Sequence, residues 1–220
     1  MKLGSTLLAA LAIGAAPQER LETSRHPWMK HAPGTTVAYT FTSEVGALKQ
    51  EGRITHVLKS TGDEGYTVEV KIAQLGTEQT LEEKDAVPVR AGREKLTLAG
   101  RELDCTVWES KGSRGPAAAT GKFWLAEGIA MPVRVVSRVE GQEEYDLSAT
   151  SLEEKLSAAG KEYACVKLEG KTKGPLGEAE TELWVSDRVP GGAVKMVARA
   201  KVQGNAATTI LELAGVSEKK

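Results

Sequence analysis

Aromatic residues are scarce in this 220-residue chain, at 5% of the sequence, so any core must be built mainly from aliphatic side chains. An excess of either charge is lacking too, since 29 Lys and Arg face 30 Asp and Glu, for a net charge of −1. Such a balance gives no electrostatic footprint for nucleic acid or an anionic membrane surface. Basic clusters such as Arg90, Arg93 and Lys95 are interleaved with acidic residues, which is typical of a solvated strand face.

The motifs of common catalytic and metal sites are missing. The sequence has no Gly-x-Ser-x-Gly, no His-Glu-x-x-His and no Gly-rich phosphate loop. Its three histidines, His26, His31 and His56, do not signal the ligand set of a zinc site, and we expect them to be exposed. Adjacent acidic pairs such as Glu153-Glu154 point to opposite faces of a strand, which is poor geometry for acid/base catalysis. We therefore predict a protein that is not an enzyme, with no catalytic residue, metal or cofactor.

A short apolar run occurs at the N-terminus. Lys2 precedes an apolar stretch over residues 7–16, about half the length that a membrane-spanning helix needs. We predict a signal peptide over 1–16, with the cleavage site left open because Pro17 disfavours a cut directly after Ala16. No cysteine follows this run to accept a lipid. The mature protein is expected to be extracytoplasmic, either periplasmic or secreted, and not membrane-spanning.

Two segments sixty residues apart resemble each other. Residues 94–105 read EKLTLAGRELDC and residues 154–165 read EKLSAAGKEYAC, with identity at seven of twelve positions. The register continues to Trp124 and Trp184. We predict an N-terminal β region over 17–93, which we leave open as a diverged third copy. The predicted repeats cover 94–153 and 154–216, and a tail covers 217–220.

The hydrophobic pattern favours strands. Val133 and Val135 alternate with Arg134 and Arg138, as expected of a sheet with one wet face. Val194 and Met196 alternate with Lys195 and Arg199 in the same way, so we expect the apolar members to be buried and the charged ones to reach solvent. Gly and Pro turns separate the short strands, and short turns can join only antiparallel neighbours. We predict an all-β fold with a minor helix at 80–85 (TLEEKD). Its sheet is predicted to be a hairpin-connected antiparallel curved sheet or open half-barrel that contains the tandem repeat of about sixty residues.

Cys105 and Cys165 occupy the same place in the two predicted repeats. Two cysteines in an exported protein usually form a disulfide. Equivalent strands of an open sheet with four strands per unit would, however, lie about 19 Å apart. A disulfide needs Cα atoms within about 7 Å. A disulfide and two buried thiols therefore both stay open.

Trp124 and Trp184 are the candidate contact residues of this sequence. Each shares a strand face with a charged residue, Lys122 or Glu182, and a partly exposed tryptophan often contacts a ligand or partner. The alternative is that each packs the end of the core beside a proline-containing turn, since a repeat preserves its own packing. Trp28 and Trp108 have no internal match and carry no prediction.

The pattern G-K-E-Y-x-C…W-V-S-x-x-V-P-G-G-x-V-K over residues 160–195 resembles a unit of small exported bacterial proteins of uncharacterised function. The segment HPWMKHAPGTTVAYTF at 26–41 resembles the start of the same proteins. The first copy departs from the pattern, with Met131-Pro132 in place of residues 189–192. More distantly, the meander of hairpins is similar to the lipoprotein-carrier superfamily, in which a curved antiparallel sheet holds acyl chains.

Two classes of function follow from these patterns. The one-sided valine pattern, with no catalytic set beside it, favours a non-enzymatic binding or carrier module for an apolar small molecule or lipid. The alternative is a structural or protein-interaction module of the cell envelope that contacts an envelope protein and has no small-molecule ligand. A cavity of hundreds of Å³ lined by aliphatic side chains would distinguish the carrier from the structural module.

Overall fold

The computed structural model describes residues 18–141, 144–174 and 177–219, so the predicted signal peptide lies outside the described residues. The fold is all-β, as predicted, and it has no α-helix among the described residues, where Thr23–Arg25 form a short 3-10 turn. Within these ranges no helix is long and apolar enough to cross a membrane. The strands are β1 (Thr36–Val45), β2 (Leu48–Gly62), β3 (Gly65–Gln74), β4 (Thr77–Ala86), β5 (Val89–Leu98), β6 (Arg101–Arg114), β7 (Ala117–Ala126), β8 (Arg134–Val139), β9 (Glu144–Ala158), β10 (Lys161–Gly174), β11 (Gly177–Val185), β12 (Ala193–Val202) and β13 (Asn205–Ser217).

The antiparallel sheet closes into a twelve-stranded barrel, so the predicted curved sheet or open half-barrel with a repeat is wrong. Starting at β4, the neighbours around the barrel are β3, β2, β1 and β13. The order then continues from β12 to β6 in descending number. Closure comes from β6, which is long enough to pair with β5 along its first part and with β4 at Glu83↔Arg114 and Asp85↔Gly112. β4 and β5 thus follow one another along the same side of β6, interrupted at Val87-Pro88, so the thirteen strands given above occupy twelve positions around the barrel. Proline cannot donate to a ladder and is suited to such a break.

The predicted helix at 80–85 is also wrong, because these residues lie in β4. Leu81, Glu83 and Asp85 are partly buried, whereas the residues between them are exposed. This period of two is the signature of a strand with one sheltered face. The local helix formers are overridden because β4 pairs with β3 along its whole length.

One end of the barrel, which we call the mouth, carries six connections between consecutive strands. They join β1 to β2, β3 to β4, β6 to β7, β8 to β9, β10 to β11 and β12 to β13. Two exposed leucines lie there, Leu48 at the start of β2 and Leu75 in the turn before β4, with exposed fractions of 75% and 76%. The opposite end, which we call the base, carries the β7–β8 and β11–β12 loops.

The chain before β1 closes the base. The Leu21 amide donates to the Pro88 carbonyl at 2.9 Å, and the Gly191 amide donates to the Pro27 carbonyl at 3.2 Å. This segment therefore reaches from the start of β5 to the β11–β12 loop, and Trp28 within it is buried. Gly191 has a φ of +78°, and a Cβ there would come within 2.9 Å of the Trp28 ring. Glycine is needed at this position for both reasons.

The predicted one-sided strand faces are confirmed at four positions. Val133 and Val194 are fully buried, and Arg138 and Arg199 are exposed. Val135 and Met196 lie on the buried side as well but are only partly buried. The interior of the barrel is therefore apolar without being completely filled at these points.

Candidate functional site

A belt of half-buried apolar side chains lines the barrel interior. Register pairs Leu183 with Met196, Met196 with Leu211 and Leu211 with Phe41, so these four side chains share one face across adjacent strands. Ile54 and Ile72, which also pair with each other, extend the same face over β2 and β3. We name these residues the interior belt: Phe41, Ile54, Ile72, Leu183, Met196 and Leu211. All six are partly exposed rather than buried.

The opposite face of the same strands carries the charged residues, which shows that the belt faces inwards. Lys195 pairs with Glu212 in register, and Glu182 contacts Lys167 and Arg199 through ion pairs of 2.8 and 2.6 Å. Charged side chains belong on the outer, solvated surface of a barrel whose strands alternate between the two faces. Solvent thus reaches an apolar surface on the inside of the molecule.

A charged cluster lies on the same interior face towards the base. The Tyr66 hydroxyl donates to Asp85 Oδ2 at 2.7 Å, and Arg114 Nη2 donates to the same oxygen at 3.0 Å. Arg114 Nε also lies 3.4 Å from Glu83 Oε2. The register explains this grouping, since Asp85 pairs with Tyr66 across β3–β4 and Glu83 pairs with Arg114 across β4–β6.

The cluster perturbs the protonation of its members. Burial raises the pKa of Glu83, with Arg114 acting against the rise. Burial opposes the charge on Arg114, but Glu83 and Asp85 outweigh this effect and raise the pKa of its guanidinium. Burial, with Asp85 adding to it, raises the pKa of the Tyr66 hydroxyl well above its usual value. The cluster therefore holds a phenol as a hydrogen-bond donor and a fixed cation inside the barrel.

Two histidines are sheltered beside this cluster, so the expectation that the histidines are exposed is wrong. His26 Nδ1 accepts the backbone N–H groups of Trp28 at 3.2 Å and Met29 at 3.3 Å, and its ring lies 4.9 Å from that of Tyr66. Burial lowers the pKa of His26 to about 4, with Asp85 opposing the shift. Burial and then Arg114 lower the pKa of His56 to about 4 as well. Both rings are neutral at pH 7.

A cavity of about 160 Å³ lies at the base, between the segment that precedes β1 and the barrel wall. Most of its lining is apolar, and the polar lining groups belong to His26, Tyr66, Asp85, Ser110 and Arg25. The apolar lining residues are Leu21, Pro27, Pro88, Phe123, Leu125, Ala130, Pro132 and Val135. The site therefore combines an apolar wall with a few convergent polar groups, as small-molecule sites do.

The structure places Trp124 and Trp184 on the outer face, away from the cavity lining, with exposed fractions of only 4% and 8%. The Trp124 indole N–H donates to Glu94 Oε2 at 2.7 Å, and that of Trp184 donates to Glu154 Oε1 at 2.9 Å. Arg134 lies 4.8 Å from the ring centroid of Trp124. Both indoles are thus engaged within the protein, and their contact with a ligand or partner stays a prediction.

These two contacts recur at the sixty-residue spacing seen in the sequence. The contacts of the two thiols recur at the same spacing. Cys105 Sγ lies 3.6 Å from the Leu103 carbonyl oxygen, and Cys165 Sγ lies 3.7 Å from the Tyr163 carbonyl oxygen. Both cysteines are free and buried, which settles the two alternatives in favour of thiols. Burial, reinforced by Glu154, raises the pKa of Cys165 to about 11, so this thiol is unreactive at neutral pH. The division into two repeat units stays a prediction, and β9 runs across its boundary at 153/154.

Replacing either outer tryptophan by phenylalanine is expected to destabilise the protein. Trp124→Phe and Trp184→Phe each remove an N–H bonded to a carboxylate, and each should lower the free energy of unfolding by about 2 kcal/mol. Chemical denaturation measures the change. Trp108→Phe is the matched control, because the Trp108 indole N–H is buried and has no hydrogen-bond partner among the described residues. An equal loss in the control would show that ring volume, rather than the carboxylate contact, sets the cost.

No group of three or more His, Cys, Asp or Glu side chains in the described ranges is arranged to hold a metal ion. The sequence signal for the interior cluster was weak, since Tyr66, Glu83, Asp85 and Arg114 belong to no motif. The alternation of β4 carried the only hint, because it places Glu83 and Asp85 on the face of Leu81.

This fold and site define a closed antiparallel β-barrel with a plugged base and an apolar interior. No family model matches the chain, and the search of curated proteins gave no match. Among solved structures, the chain is similar to a Bacteroides fragilis protein described as exported with a YmcC-like fold, at 7% identity and a TM-score of 0.44, covering 86% of this chain and 97% of that one. It is also similar to a protein described as a lipoprotein from Parabacteroides distasonis, at 10% identity and a TM-score of 0.39, covering 85% and 96%. A DUF1329 family protein from Desulfovibrio piger matches at 7% identity and a TM-score of 0.35, covering 86% and 87%.

Proposed function

We propose that this protein is a non-enzymatic, extracytoplasmic binding protein that holds an apolar ligand, such as an acyl chain, inside its barrel. The observation that carries the proposal is the interior belt. Six apolar side chains on adjacent strands remain partly exposed although they face the inside of a closed barrel. A structural module would be expected to fill this space with its own side chains, as protein cores normally do.

The dimensions of the belt suit an elongated ligand. Its six residues span six neighbouring strands, which at about 4.8 Å per strand amounts to roughly 24 Å along the wall. The base cavity, at about 160 Å³, is smaller than the roughly 300 Å³ of a typical small-molecule site. A ligand must therefore lie mainly along the belt. Covering the belt would contribute about 25 cal/mol for each Å² of apolar surface removed from water.

The location outside the cytoplasm rests on the N-terminal sequence. The short apolar run over 7–16, preceded by Lys2, is typical of a signal peptide. A binding protein released by such a signal would meet lipids and other apolar molecules in the periplasm or outside the cell.

Displacement of an environment-sensitive apolar dye by fatty acids or phospholipids tests the proposal. The ligand-stripped protein should bind the dye at micromolar concentration and release it to a competing lipid. Leu211→Ser should weaken dye binding about tenfold, because it removes most of one belt side chain from the contact. Ile210→Ser is the matched control, because the neighbouring side chain lies on the other face of β13.

Equal affinities for the two variants would show that the dye does not lie on the belt. No dye binding by the folded, stripped protein would overturn the carrier proposal. The envelope interaction module would then remain, and the exposed leucines Leu48 and Leu75 at the mouth would be the surface for its partner.

A further inference from the structure

We propose, building on the binding function above, that the ligand carries an uncharged hydroxyl head that lies in the base cavity against Asp85, with its apolar body along the interior belt. Such a ligand would be a fatty alcohol or a monoacylglycerol-like molecule rather than a free fatty acid. The proposal rests on the polar groups that line the cavity and on the charge that they carry.

The cavity offers both partners that a hydroxyl requires. Asp85 lines it and accepts both of its side-chain hydrogen bonds, from Tyr66 and Arg114, on Oδ2. Within the described part of the chain, Asp85 Oδ1 accepts none. His26 Nδ1 is an acceptor for two backbone amides, so the neutral ring carries its proton on Nε2, which is a donor. A hydroxyl can donate to the carboxylate and accept from the imidazole at the same time.

Two further polar groups at this end of the barrel lack partners. The Ser110 side chain lines the cavity and makes no side-chain hydrogen bond to any described residue. The Trp108 indole N–H is buried and unpaired within the same ranges, and its ring packs in a cluster with Leu21 and Leu125, which both line the cavity. The Ser110 hydroxyl is therefore free to bond a polar atom that a ligand brings into the cavity. Trp108 is not itself among the lining residues, so its unpaired N–H lies beside the cavity rather than in it.

The charge of the cluster disfavours a carboxylate head. Two carboxylates, Asp85 and Glu83, face one guanidinium, Arg114, which already contacts both of them. A bound fatty acid would add a third negative charge beside Asp85 in a poorly solvated place, which is costly. Arg25 is the other charged side chain of the lining, but it is exposed to solvent and therefore screened.

The distance from the cavity to the belt fits one molecule. Asp85 and Gln79 lie on the same face of β4, and Gln79 pairs in register with Ile72 of the belt. Six residues of strand correspond to about 20 Å. An extended alkyl chain of about sixteen carbons whose head contacts Asp85 would therefore reach the belt.

Competition between two ligands with the same hexadecyl chain tests the head group. In displacement of the apolar dye at pH 7.5, 1-hexadecanol should bind about tenfold more tightly than hexadecanoate, the difference expected from one hydrogen bond to a charged group. Asp85→Asn keeps an acceptor oxygen for Tyr66 but removes the charge, so hexadecanoate should gain and the ratio should fall to about twofold. Ser110→Ala should weaken 1-hexadecanol about threefold, while Ser137→Ala, a serine outside the cavity lining on β8, should not.

The outcomes separate the two proposals. If neither hexadecyl ligand displaces the dye, the binding function itself fails. If hexadecanoate binds as tightly as 1-hexadecanol to the unmodified protein, the binding function stands and the hydroxyl head is wrong. Should Asp85→Asn fail to fold, the Ser110→Ala and Ser137→Ala pair still decides, because equal effects of the two variants would place the head outside the base cavity.

Discussion

Lowering the pH from 7 to 4 is expected to destabilise the protein by about 3 kcal/mol through His26 alone, since one pKa unit is worth about 1.4 kcal/mol. The folded-state pKa of His26 is about 4, against an ordinary value of 6.5. Between these values the unfolded chain binds the proton and the folded chain does not. Stability is therefore fully present above pH 6.5 and is lost progressively as the pH falls towards 4. Urea unfolding at a series of pH values measures the loss.

The hydrogen bonds of His26 give this loss a structural reason. A proton on Nδ1 would replace the acceptor of two backbone N–H groups, those of Trp28 and Met29, in the segment that closes the base. Asp85 faces the ring and reduces the penalty without cancelling it. His56 should add a similar loss over the same pH range, with Arg114 facing it. The raised pKa of Glu83 acts in the opposite sense and offsets part of the loss near pH 4.5.

His26→Asn separates the two histidines. Asparagine offers an acceptor oxygen for the same amides but does not titrate, so about half of the pH dependence should disappear. His31→Asn is the comparison variant. Burial lowers the pKa of His31 too, but Glu218, 3.4 Å from its Nδ1, opposes the shift, so this variant should change the pH profile less than His26→Asn does. A pH profile that His26→Asn leaves unchanged would show that the acid sensitivity has another origin.

The strands and their sheltered faces could be predicted from the sequence, but the closure of the barrel could not. Alternation identified Val133 and Val194 as buried because each strand face is a local pattern of period two. Closure depends on β6 meeting β4 and on β1 meeting β13, and these are pairings between distant segments. No local pattern encodes such a register, and only the length of β6 hints that it serves two partners.

The interior cluster was missed for a related reason. Glu83 and Asp85 face the barrel interior in a segment, TLEEKD, whose residue types favour a helix and a wet surface. Their charge is tolerated there because Arg114 arrives from β6 through the closing pairs. His26 was expected to be exposed because the sequence signals no ligand set for it, yet its segment closes the base of the barrel and is sheltered there. Each belt residue has at least one polar neighbour in the sequence, but such a pattern cannot tell a filled interior from an open one.

Removing the cation of the interior cluster is expected to destabilise the protein strongly. Arg114→Met leaves Asp85 and Glu83 inside the barrel without the guanidinium that contacts both, and breaking such a buried ion pair costs about 3 kcal/mol or more. Arg138→Met is the matched control. It breaks an outer ion pair with Glu144 in which the arginine side chain is 67% exposed, and such pairs contribute about 0.5 kcal/mol.

A second substitution shows whether the loss comes from uncompensated charge. Asp85→Asn in the Arg114→Met background removes one of the two carboxylates while retaining an acceptor for the Tyr66 hydroxyl. The double variant should therefore recover about 1–2 kcal/mol relative to Arg114→Met alone, which denaturant unfolding measures directly. Additive losses would mean that Arg114 stabilises the barrel through packing of its side chain. An Arg114→Met loss no larger than that of Arg138→Met would mean that water already solvates Glu83 and Asp85, so that their charge places no constraint on a ligand in the base cavity.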